Sequence, residues 1–494
     1  MISCRYIYIK NSVGRCWTRT TIEKRAIIVK AFLREDYRKI TQRQMNPDTQ
    51  KNIQKFPLRI KIPDFVSFIL KRLNERGFDA YIVGGAVRDA LLGREALDWD
   101  IATGAGAHEI KSVFKGTRLF SLKHETVTLI DSGIPFEVTA MKGDDGEKAN
   151  ILSDLSHRDF TLNAMAYDVE KSGVIDPFDG AVDIKRKTVK AVNNPVDRFR
   201  EDPLRMLRAV RIAGELNFSI DKNTFDSIFP LSSLLSLVSV ERIRDELTRI
   251  ILCDNPSSLM ETLRKTGLMG CILPELLEGY EMKQNSRHSL SVFEHLVETV
   301  NNVPPSSILR FAALLHDIGK PRVRKEADGE IHFYNHESIS SSMAGDILGR
   351  LRFSREEIKK VASLISLHMI DYSREWTDAA VRRLIRRAGR ENIGDLLLLR
   401  KADIIAHGRT DNKLDLLLHL EKRISKIKNE NTAVDINDLA IDGKKVMDIM
   451  GLGPGPGVGK VLRKLLEITI ENPELNTEDG LTAILHESGK DLKE

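Results

Sequence analysis

The stretch Tyr81-Ile-Val-Gly-Gly-Ala-Val-Arg-Asp89 is typical of a strand, a diglycine turn and the start of a helix, and Asp98-Trp-Asp100 follows on the next predicted strand. Glycines let backbone N–H groups approach a phosphate, and alternation along a strand points the carboxylates of Asp98 and Asp100 to one face. Because Mg²⁺ prefers such oxygen ligands and bridges them to substrate phosphates, the two motifs together predict metal-dependent nucleotidyl transfer. Either motif alone is more typical of a tight turn or of solvated aspartates.

Short β-rich runs surround this stretch and predict a small mixed α/β head. They cover residues 80–83, 99–103, 126–131 and 135–141, and helices are expected over 63–76 and 87–92. Glu137, on the fourth run, is either a third carboxylate for the metals or an exposed strand residue. After about Asn194 the strand signals vanish and helices follow one another, with breaks near residues 255, 304, 373 and 429–431. The predicted fold class is therefore α+β, with a small head followed by a long all-α body.

The net charge of +5 is unevenly distributed along the 494 residues. Residues 1–44 hold eleven Lys and Arg against three Asp and Glu, so residues 45–494 carry a balance of −3. The basic segment lacks the apolar core of a secretory signal; it is an organellar transit peptide, a disordered tail or an over-long start before Met45. Four unpatterned cysteines and no apolar run of roughly 18 residues favour a cytoplasmic protein, with an organelle as the alternative.

The sequence resembles the family of tRNA nucleotidyltransferases and bacterial poly(A) polymerases, in its class II branch. The resemblance begins with Gly84-Gly85-Ala-Val-Arg88-Asp89, Gly93 and Asp98-x-Asp100 and spans about residues 56–255. Further pieces follow in the family's order: His157-Arg-Asp-Phe-Thr-Leu-Asn-Ala164, Asp176-Pro-Phe-Asp-Gly180, Glu201-Asp-Pro-Leu-Arg205, Glu241-Arg242 and Glu246-Leu247.

This resemblance implies a polymerase-β-like head in which Asp98 and Asp100 are catalytic and bind Mg²⁺. Its implied partners are the tRNA 3′ end, CTP and ATP. Arg158 and Asp159 would hold the triphosphate and the ribose hydroxyls. The full set of implied substrate-binding residues is Gly84, Gly85, Arg88, Arg158, Asp159, Asn163, Glu201, Asp202, Arg205 and Arg208.

By the same resemblance, Asp202 and Arg205 would read the base of the incoming nucleotide. A carboxylate accepts from the exocyclic amine that cytosine and adenine share, and a guanidinium donates to their ring acceptors. Uracil and guanine present a carbonyl oxygen to the carboxylate instead, so such a site accepts CTP and ATP and rejects UTP and GTP. Pro203 at the first position of a predicted helix would also make Asp202 an ordinary N-cap.

Two departures from the family pattern concern the phosphate contacts and the product. His157 stands where the family usually has an arginine, and residues 142–154 form a short segment that resembles enzymes adding only two C residues. Addition of the terminal A therefore stays open. Residues 116–128 lack the Arg-rich element expected of bacterial poly(A) polymerases, which favours tRNA end addition and leaves poly(A) polymerase as an alternative.

A second constellation lies on predicted helices and resembles the HD phosphohydrolase superfamily. It is centred on Leu-Leu-His316-Asp317-Ile-Gly-Lys320-Pro. Imidazole and carboxylate ligands suit Mg²⁺ or a divalent transition metal, and a metal-activated water would hydrolyse a phosphoester. A further alternative therefore makes the chain chiefly a hydrolase whose head only binds nucleotide. The predicted metal ligands are His295, His316, Asp317, His336, His368 and Asp403.

Two later segments are candidates for RNA contact. Arginines at 382, 383, 386, 387 and 390 have helical spacing and predict a phosphate track or a solvated face. The run 453–460 is not a P-loop, because Pro454 and Val461 stand where a glycine and a Ser or Thr are required. It resembles a turn before a helix in the C-terminal region of the family's enzymes, which implies contact with tRNA. The predicted units are an extension (1–55), a nucleotidyltransferase head (56–193), a base-reading neck (194–255), an HD body (256–428) and a tRNA-binding segment (429–494). No membrane partner is expected, and the sequence indicates no oligomeric state.

Overall fold

The computed structural model describes residues 54–58, 60–96, 98–121, 125–143, 149–284, 290–327, 329–408, 411–430 and 432–488. Almost all of the predicted N-terminal extension lies outside the described residues, and so do residues 144–148 of the short segment before Asp154. No helix among the described ranges is both long and apolar enough to cross a membrane.

One mixed sheet forms the centre of the head. Its eight strands lie in the order β1-β8-β7-β2-β3-β6-β5-β4, with β3 and β6 parallel and all other neighbours antiparallel. Since β3 is an inner strand, its first residue, Asp100, lies between β2 and β6. The strands are β1 (Gln54–Pro57), β2 (Ala80–Val83), β3 (Asp100–Thr103), β4 (Leu119–Ser121), β5 (Thr126–Asp131), β6 (Ile134–Ala140), β7 (Ala166–Asp168) and β8 (Gly173–Asp176).

Five helices accompany this sheet. They are α1 (Asp64–Asn74), α2 (Gly85–Leu91), α3 (Ala107–Val113), α4 (Ile151–Ser156) and α5 (Gly180–Lys185). The first of them, α1, buries Val66, Ile69 and Leu73 on one face, as its helical spacing of apolar residues requires. The chain leaves this helix through Gly77, which has a φ of +77° that a glycine adopts without strain.

Helices make up most of the body. They are α6 (Pro195–Glu201), α7 (Arg205–Leu216), α8 (Lys222–Asp226), α9 (Ile228–Leu231), α10 (Val240–Ile251), α11 (Pro256–Lys265), α12 (Leu268–Ile272), α13 (Val292–Asn301), α14 (Ser307–Leu315), α15 (Lys320–Val323), α16 (His336–Arg350), α17 (Arg355–Leu367), α18 (Asp378–Ala388), α19 (Ile393–Ala406), α20 (Asp411–Asn429), α21 (Gly443–Met450), α22 (Pro456–Glu471) and α23 (Glu478–Ser488). One hydrophobic cluster runs from the head into this body, and a second one joins α21, α22 and α23.

The predicted architecture is confirmed, with corrections at short elements. Strands at 80–83 and 126–131 have the predicted bounds, and helices are interrupted near 255, 304, 373 and 430 as expected. Strands do not end at residue 194, however. The short pairs β9 (Thr188–Val189) with β10 (Ser219–Ile220), and β11 (Lys325–Ala327) with β12 (Glu330–His332), reach into the body. Two or three residues are too few for a period of two to show in the sequence.

Most arginines of the basic face predicted on α18 bind the C-terminal segment, and RNA contact by this face stays a prediction. Arg382 is buried and donates to the carbonyl of Ile470 at 2.8 Å. Arg383 and Arg386 pair with glutamates of α22, and Arg390 pairs with Asp438 at 2.9 Å. These contacts neutralise most of the face and fasten α22 to α18. The predicted tRNA contact of the turn at 453–460 stays a prediction.

Candidate active site and metal centre

The diglycine turn brings a carboxylate and a guanidinium together in the head. Gly84 has a φ of +73° and immediately precedes α2. A Cβ at this position would lie 3.2 Å from a terminal nitrogen of Arg158 and 3.3 Å from Oδ2 of Asp100. The absence of a side chain therefore allows Arg158 and Asp100 to converge on this turn.

Three carboxylates cluster next to this turn. Asp98 is exposed and precedes β3, so it does not lie on the strand as predicted; Asp100 begins the strand. Parallel pairing sets Asp100 directly beside Glu137 of β6, on the same face of the sheet. Burial raises the pKa of Asp100, as does the charge of Asp98, while Arg158 opposes both. Burial, Asp100 and Asp98 likewise raise the pKa of Glu137.

Mutual repulsion of this kind is what a bound cation relieves. The donor set consists of hard carboxylate oxygens, which Mg²⁺ prefers. Asp98, Asp100 and Glu137 therefore fit a divalent metal. Of the two alternatives for Glu137, a third metal-binding carboxylate fits its position better than an isolated surface residue does.

A hydrogen-bond network links α2, the helix that follows the turn, to α7 of the neck. Asp159 accepts from Nε of Arg208 at 2.7 Å and from the amide of Asn163 at 3.2 Å. Burial raises the pKa of Asp159, but the Arg208 charge outweighs it and the net shift is downward. Asn163 in turn accepts from Arg88 at 2.9 Å. Four of the predicted substrate-binding residues thus form one connected chain, while Arg158 is held separately by Asp154 at 3.0 Å.

The predicted base-reading residues lie between α6 and α7. Arg205 is buried and donates to Glu201 at 2.6 Å and to the backbone carbonyl of His157 at 2.7 Å. Glu201 therefore positions Arg205, and His157 contributes its backbone at this place in the network. Asp202 is more accessible and pairs with Arg242 at 2.8 Å.

The predicted helix start at Pro203 is wrong by two residues. The helix α7 begins at Arg205, with Leu204 as its N-cap, although Asp202 Oδ1 still accepts from the Leu204 amide at 3.2 Å. The Asp202 carboxylate therefore accepts a backbone hydrogen bond in the turn before α7, as an N-cap side chain would, but two residues ahead of the N-cap position.

In the body, five helices and their ends bring all six predicted metal ligands to one buried place. His295 and His316 approach each other through their Nε2 atoms at 3.2 Å. Oδ1 of Asp403 lies 3.1 Å from Nε2 of His295, and Oδ1 of Asp317 lies 3.1 Å from Nε2 of His336. The sixth, His368, lies 3.6 Å from the same oxygen of Asp317. Donor atoms of Asp317, His336 and His368 are all within 4.8 Å of one another, as are those of His295, His316 and Asp317.

Two observations show that this cluster fits a metal ion. Oδ1 of Asp317 and Nε2 of His336 are buried and lie 3.1 Å from each other without the geometry of a hydrogen bond, although buried polar atoms normally have a partner. Burial lowers the pKa of His295 to about 4, and the same burial acts on His316, where Asp317 and Asp403 outweigh it and raise the pKa to about 10. A positive charge is therefore favoured between the two carboxylates, where a divalent cation would supply it.

The cluster opens into a cavity of about 580 Å³. Lys320 is buried in its wall and binds Asp317 at 2.6 Å, and Arg400 binds Asp403 at 2.7 Å. Lys413 also lines the cavity and is exposed. These three cationic side chains suit an anionic ligand such as a phosphate group.

Sequence reasoning missed three contributors to this centre. His407 approaches Asp403 Oδ1 at 3.1 Å and forms a donor set with His295 and Asp403. Its spacing of four residues from Asp403 places both on one helix face, and that spacing could have identified it. The pairing of Lys320 with Asp317 and of Arg400 with Asp403 has no comparable signal, because exposed and buried cations look alike in sequence.

Comparisons with known proteins match the head, the neck and the HD part of the body. Residues 80–190 match the family model described as Poly A polymerase head domain, residues 217–279 match Probable RNA and SrmB- binding site of polymerase A, and residues 285–408 match HD domain. An A-adding tRNA nucleotidyltransferase of Deinococcus radiodurans is 33% identical, covering 78% of this chain and 91% of that protein.

A CCA-adding enzyme of Lactobacillus johnsonii is 32% identical, covering 84% of this chain and 95% of the relative. Among solved structures, the Bacillus stearothermophilus CCA-adding enzyme in complex with CTP has a TM-score of 0.65 and 26% identity. That likeness covers 90% of this chain and 99% of the other.

Proposed function

Because the chain belongs to the family of tRNA nucleotidyltransferases, we propose that it adds C and A residues from CTP and ATP to the 3′ end of tRNA, releasing pyrophosphate. The observation that carries this proposal is the convergence of Asp100 and Arg158 on Gly84, next to two further carboxylates. Both relatives are named for activities that include adenine, which supports addition of the terminal A as well as of C.

Enzymes with such a head generally use divalent metals, and Asp98, Asp100 and Glu137 would hold Mg²⁺ here. When bound, Mg²⁺ supplies Lewis-acid stabilisation of the charge that develops on the phosphoryl oxygens. Arg158 would bind the triphosphate from the other side of the turn, since its guanidinium lies within reach of Gly84. Asp159 and Asn163, fixed by Arg208 and Arg88, would orient the ribose.

Base selection would come from Asp202 and Arg205. Glu201 and the carbonyl of His157 hold the Arg205 guanidinium in one orientation, so it can donate to a ring acceptor at little entropic cost. Asp202 keeps a solvent-accessible carboxylate that can accept from the exocyclic amine of cytosine or adenine. This arrangement supports the choice of CTP and ATP over UTP and GTP.

Incubation with tRNA lacking its CCA end and with each labelled nucleotide tests the proposal. CTP and ATP should be incorporated and UTP and GTP should not, and the product should be three nucleotides longer. A product that stops after two C residues would contradict terminal A addition and support the short-segment interpretation. Extension with ATP alone into a long tail would support a poly(A) polymerase.

The cluster of the body supports a second activity, because its orphaned carboxylate oxygen and imidazole face a cavity lined by cations. We propose that it binds a divalent metal and hydrolyses a phosphoester. The ligands would be the four histidines and two aspartates identified above, together with His407. When bound, the metal supplies a hydroxide nucleophile near neutral pH.

Independent loss of the two activities tests this assignment. His316→Ala with Asp317→Ala should abolish phosphoester hydrolysis and leave nucleotide addition intact, whereas Asp98→Ala with Asp100→Ala should do the reverse.

We also propose a cytoplasmic enzyme: the two relatives come from bacteria, so they do not support the organellar alternative. The division into extension, head, neck, HD body and tRNA-binding segment stays a proposal.

A further inference from the structure

We infer that Asp154 is a positioning residue for nucleotide addition. Its carboxylate holds the guanidinium of Arg158 so that one nitrogen faces the diglycine turn, where the triphosphate would bind. Asp154 itself would touch no substrate and would act through Arg158. The inference rests on the proposed function of the head and adds a residue that sets how the triphosphate is bound.

The carboxylate of Asp154 binds one edge of the Arg158 guanidinium. Nε and Nη2 of Arg158 both donate to Oδ2 of Asp154, at 3.2 Å and 3.0 Å. The remaining nitrogen, Nη1, is the atom that would lie 3.2 Å from a Cβ on Gly84. Because a guanidinium is planar, fixing Nε and Nη2 also fixes the direction of Nη1. Asp154 therefore determines which nitrogen faces the turn.

The carboxylate of Asp154 is itself fixed to the central sheet. Asp154 is buried on α4, and its Oδ1 accepts from the backbone N–H of Lys142, shortly after β6, at 3.2 Å. The next residue of α4, Leu155, packs in one cluster with Val83, which directly precedes the turn. One carboxylate oxygen is thus bound to the sheet and the other to Arg158, so the guanidinium has a fixed place relative to the turn.

Asp100 is the competing partner for Arg158. Its Oδ2 approaches the same turn, 3.3 Å from the position of a Cβ on Gly84. A guanidinium released from Asp154 would be drawn to this carboxylate, because opposite charges attract more strongly where little water screens them. It would then occupy an oxygen that fits Mg²⁺, and its Nη1 would no longer be held toward the triphosphate. Asp154 prevents this rearrangement by holding the opposite edge of the guanidinium.

An ion pair of this kind could also serve only the stability of the head. The side chains of Arg158 and Asp154 are 23% and 8% exposed, so the pair is largely shielded from solvent. The two roles differ in what depends on Arg158. A positioning residue affects nucleotide binding only while the guanidinium that it positions is present, whereas a purely structural residue has an effect that adds to the loss of Arg158.

A double-mutant cycle on the full-length protein, with CTP and tRNA lacking its CCA end, tests the inference. Asp154→Ala should raise KM for CTP about tenfold and leave kcat nearly unchanged, because it weakens a contact that the bound substrate already makes. Arg158→Ala should raise KM at least as much, and the double variant should match Arg158→Ala alone. Asp154→Asn, which keeps one acceptor oxygen, should give a smaller rise and replaces Asp154→Ala in the cycle if thermal unfolding shows that the alanine variant does not fold.

Asp168→Ala is the matched control. It removes a carboxylate of the same sheet that is buried to a similar degree and binds Lys171 at 2.9 Å. Asp168 ends β7, two residues beyond Ala166, which pairs with the residue before the turn. The KM for CTP should therefore stay at the wild-type value in this variant.

Calorimetric binding of pyrophosphate without added metal gives a readout that does not depend on turnover. Pyrophosphate has no base and no ribose, so its affinity should fall about tenfold in Asp154→Ala, as for CTP, and should not fall further in the double variant. An unchanged KM for CTP and an unchanged affinity for pyrophosphate in both Asp154 variants, or effects that add in full in the double variant, would overturn the positioning role alone. Wild-type protein that adds no nucleotide to the tRNA would instead overturn the proposed function.

Discussion

Replacement of Asp202 by asparagine isolates base reading from catalysis. Asparagine keeps a side-chain oxygen for the Leu204 amide and replaces the second carboxylate oxygen with an NH₂ donor. That donor would face the amine of cytosine, whereas it could bind the carbonyl oxygen that uracil presents. One good bidentate contact is worth about 1–3 kcal/mol, so the preference for CTP over UTP should fall by roughly 5- to 150-fold.

The fold should tolerate this change. The ion pair between Asp202 and Arg242 has side chains that are 30% and 52% exposed, and such pairs contribute at most about 1 kcal/mol. Loss of specificity can therefore be separated from unfolding by measuring the thermal midpoint alongside kcat/KM for each nucleotide. Asp197→Asn, in the preceding helix α6, is the matched control. An unchanged ratio of kcat/KM for CTP and UTP in Asp202→Asn would refute the assigned role of this carboxylate.

Four further outcomes are expected. Asp98→Asn with Asp100→Asn should abolish nucleotide addition while phosphoester hydrolysis continues, measured in parallel assays. Gly84→Ala should lower nucleotide addition more than tenfold, because its Cβ would crowd Arg158 and Asp100, and it should cost about 1–3 kcal/mol of stability through its φ of +73°. Gly93→Ala, at a φ of +67° with no atom within 4 Å, should show only the stability loss. Mn²⁺ or Ni²⁺ should raise the thermal midpoint of the wild type and not of His316→Ala, and a chelator should reverse the rise. Deletion of residues 1–44 should leave both activities largely unchanged; a large loss would place the basic segment in the RNA site.

The sequence predicted the centre of the head well because its signals are local. Alternation and β-branched residues define 80–83 and 126–131, and Asp98 and Asp100 are two positions apart in any conformation. The place of Asp98 before the strand could not be predicted, since strand ends depend on which neighbour pairs. The partner of Asp100 was also hidden, because the register with Glu137 links residues 37 positions apart.

The long-range partners of the α18 arginines could not be predicted from the sequence. Five arginines at helical spacing predict an RNA track equally well whether they face solvent or protein. Glu467 and Glu471, the partners of Arg383 and Arg386, lie more than 80 residues further along the chain, and Asp438, the partner of Arg390, lies 48 residues further along. These pairs form only once the C-terminal segment packs on α18. Charge that looks available for RNA in the sequence is therefore largely used to hold the C-terminal segment in place.

The two proposed sites have a chemical relation that depends on one bond. The head needs a free 3′-hydroxyl on the RNA, and a 2′,3′-cyclic phosphate occupies that oxygen. Hydrolysis that breaks the bond from phosphorus to the 3′ oxygen leaves a 2′-phosphate and restores the hydroxyl that the head extends. Hydrolysis of the other bond leaves a 3′-phosphate, and the RNA stays blocked. Only cleavage at the 3′ oxygen would therefore let the body prepare substrate for the head.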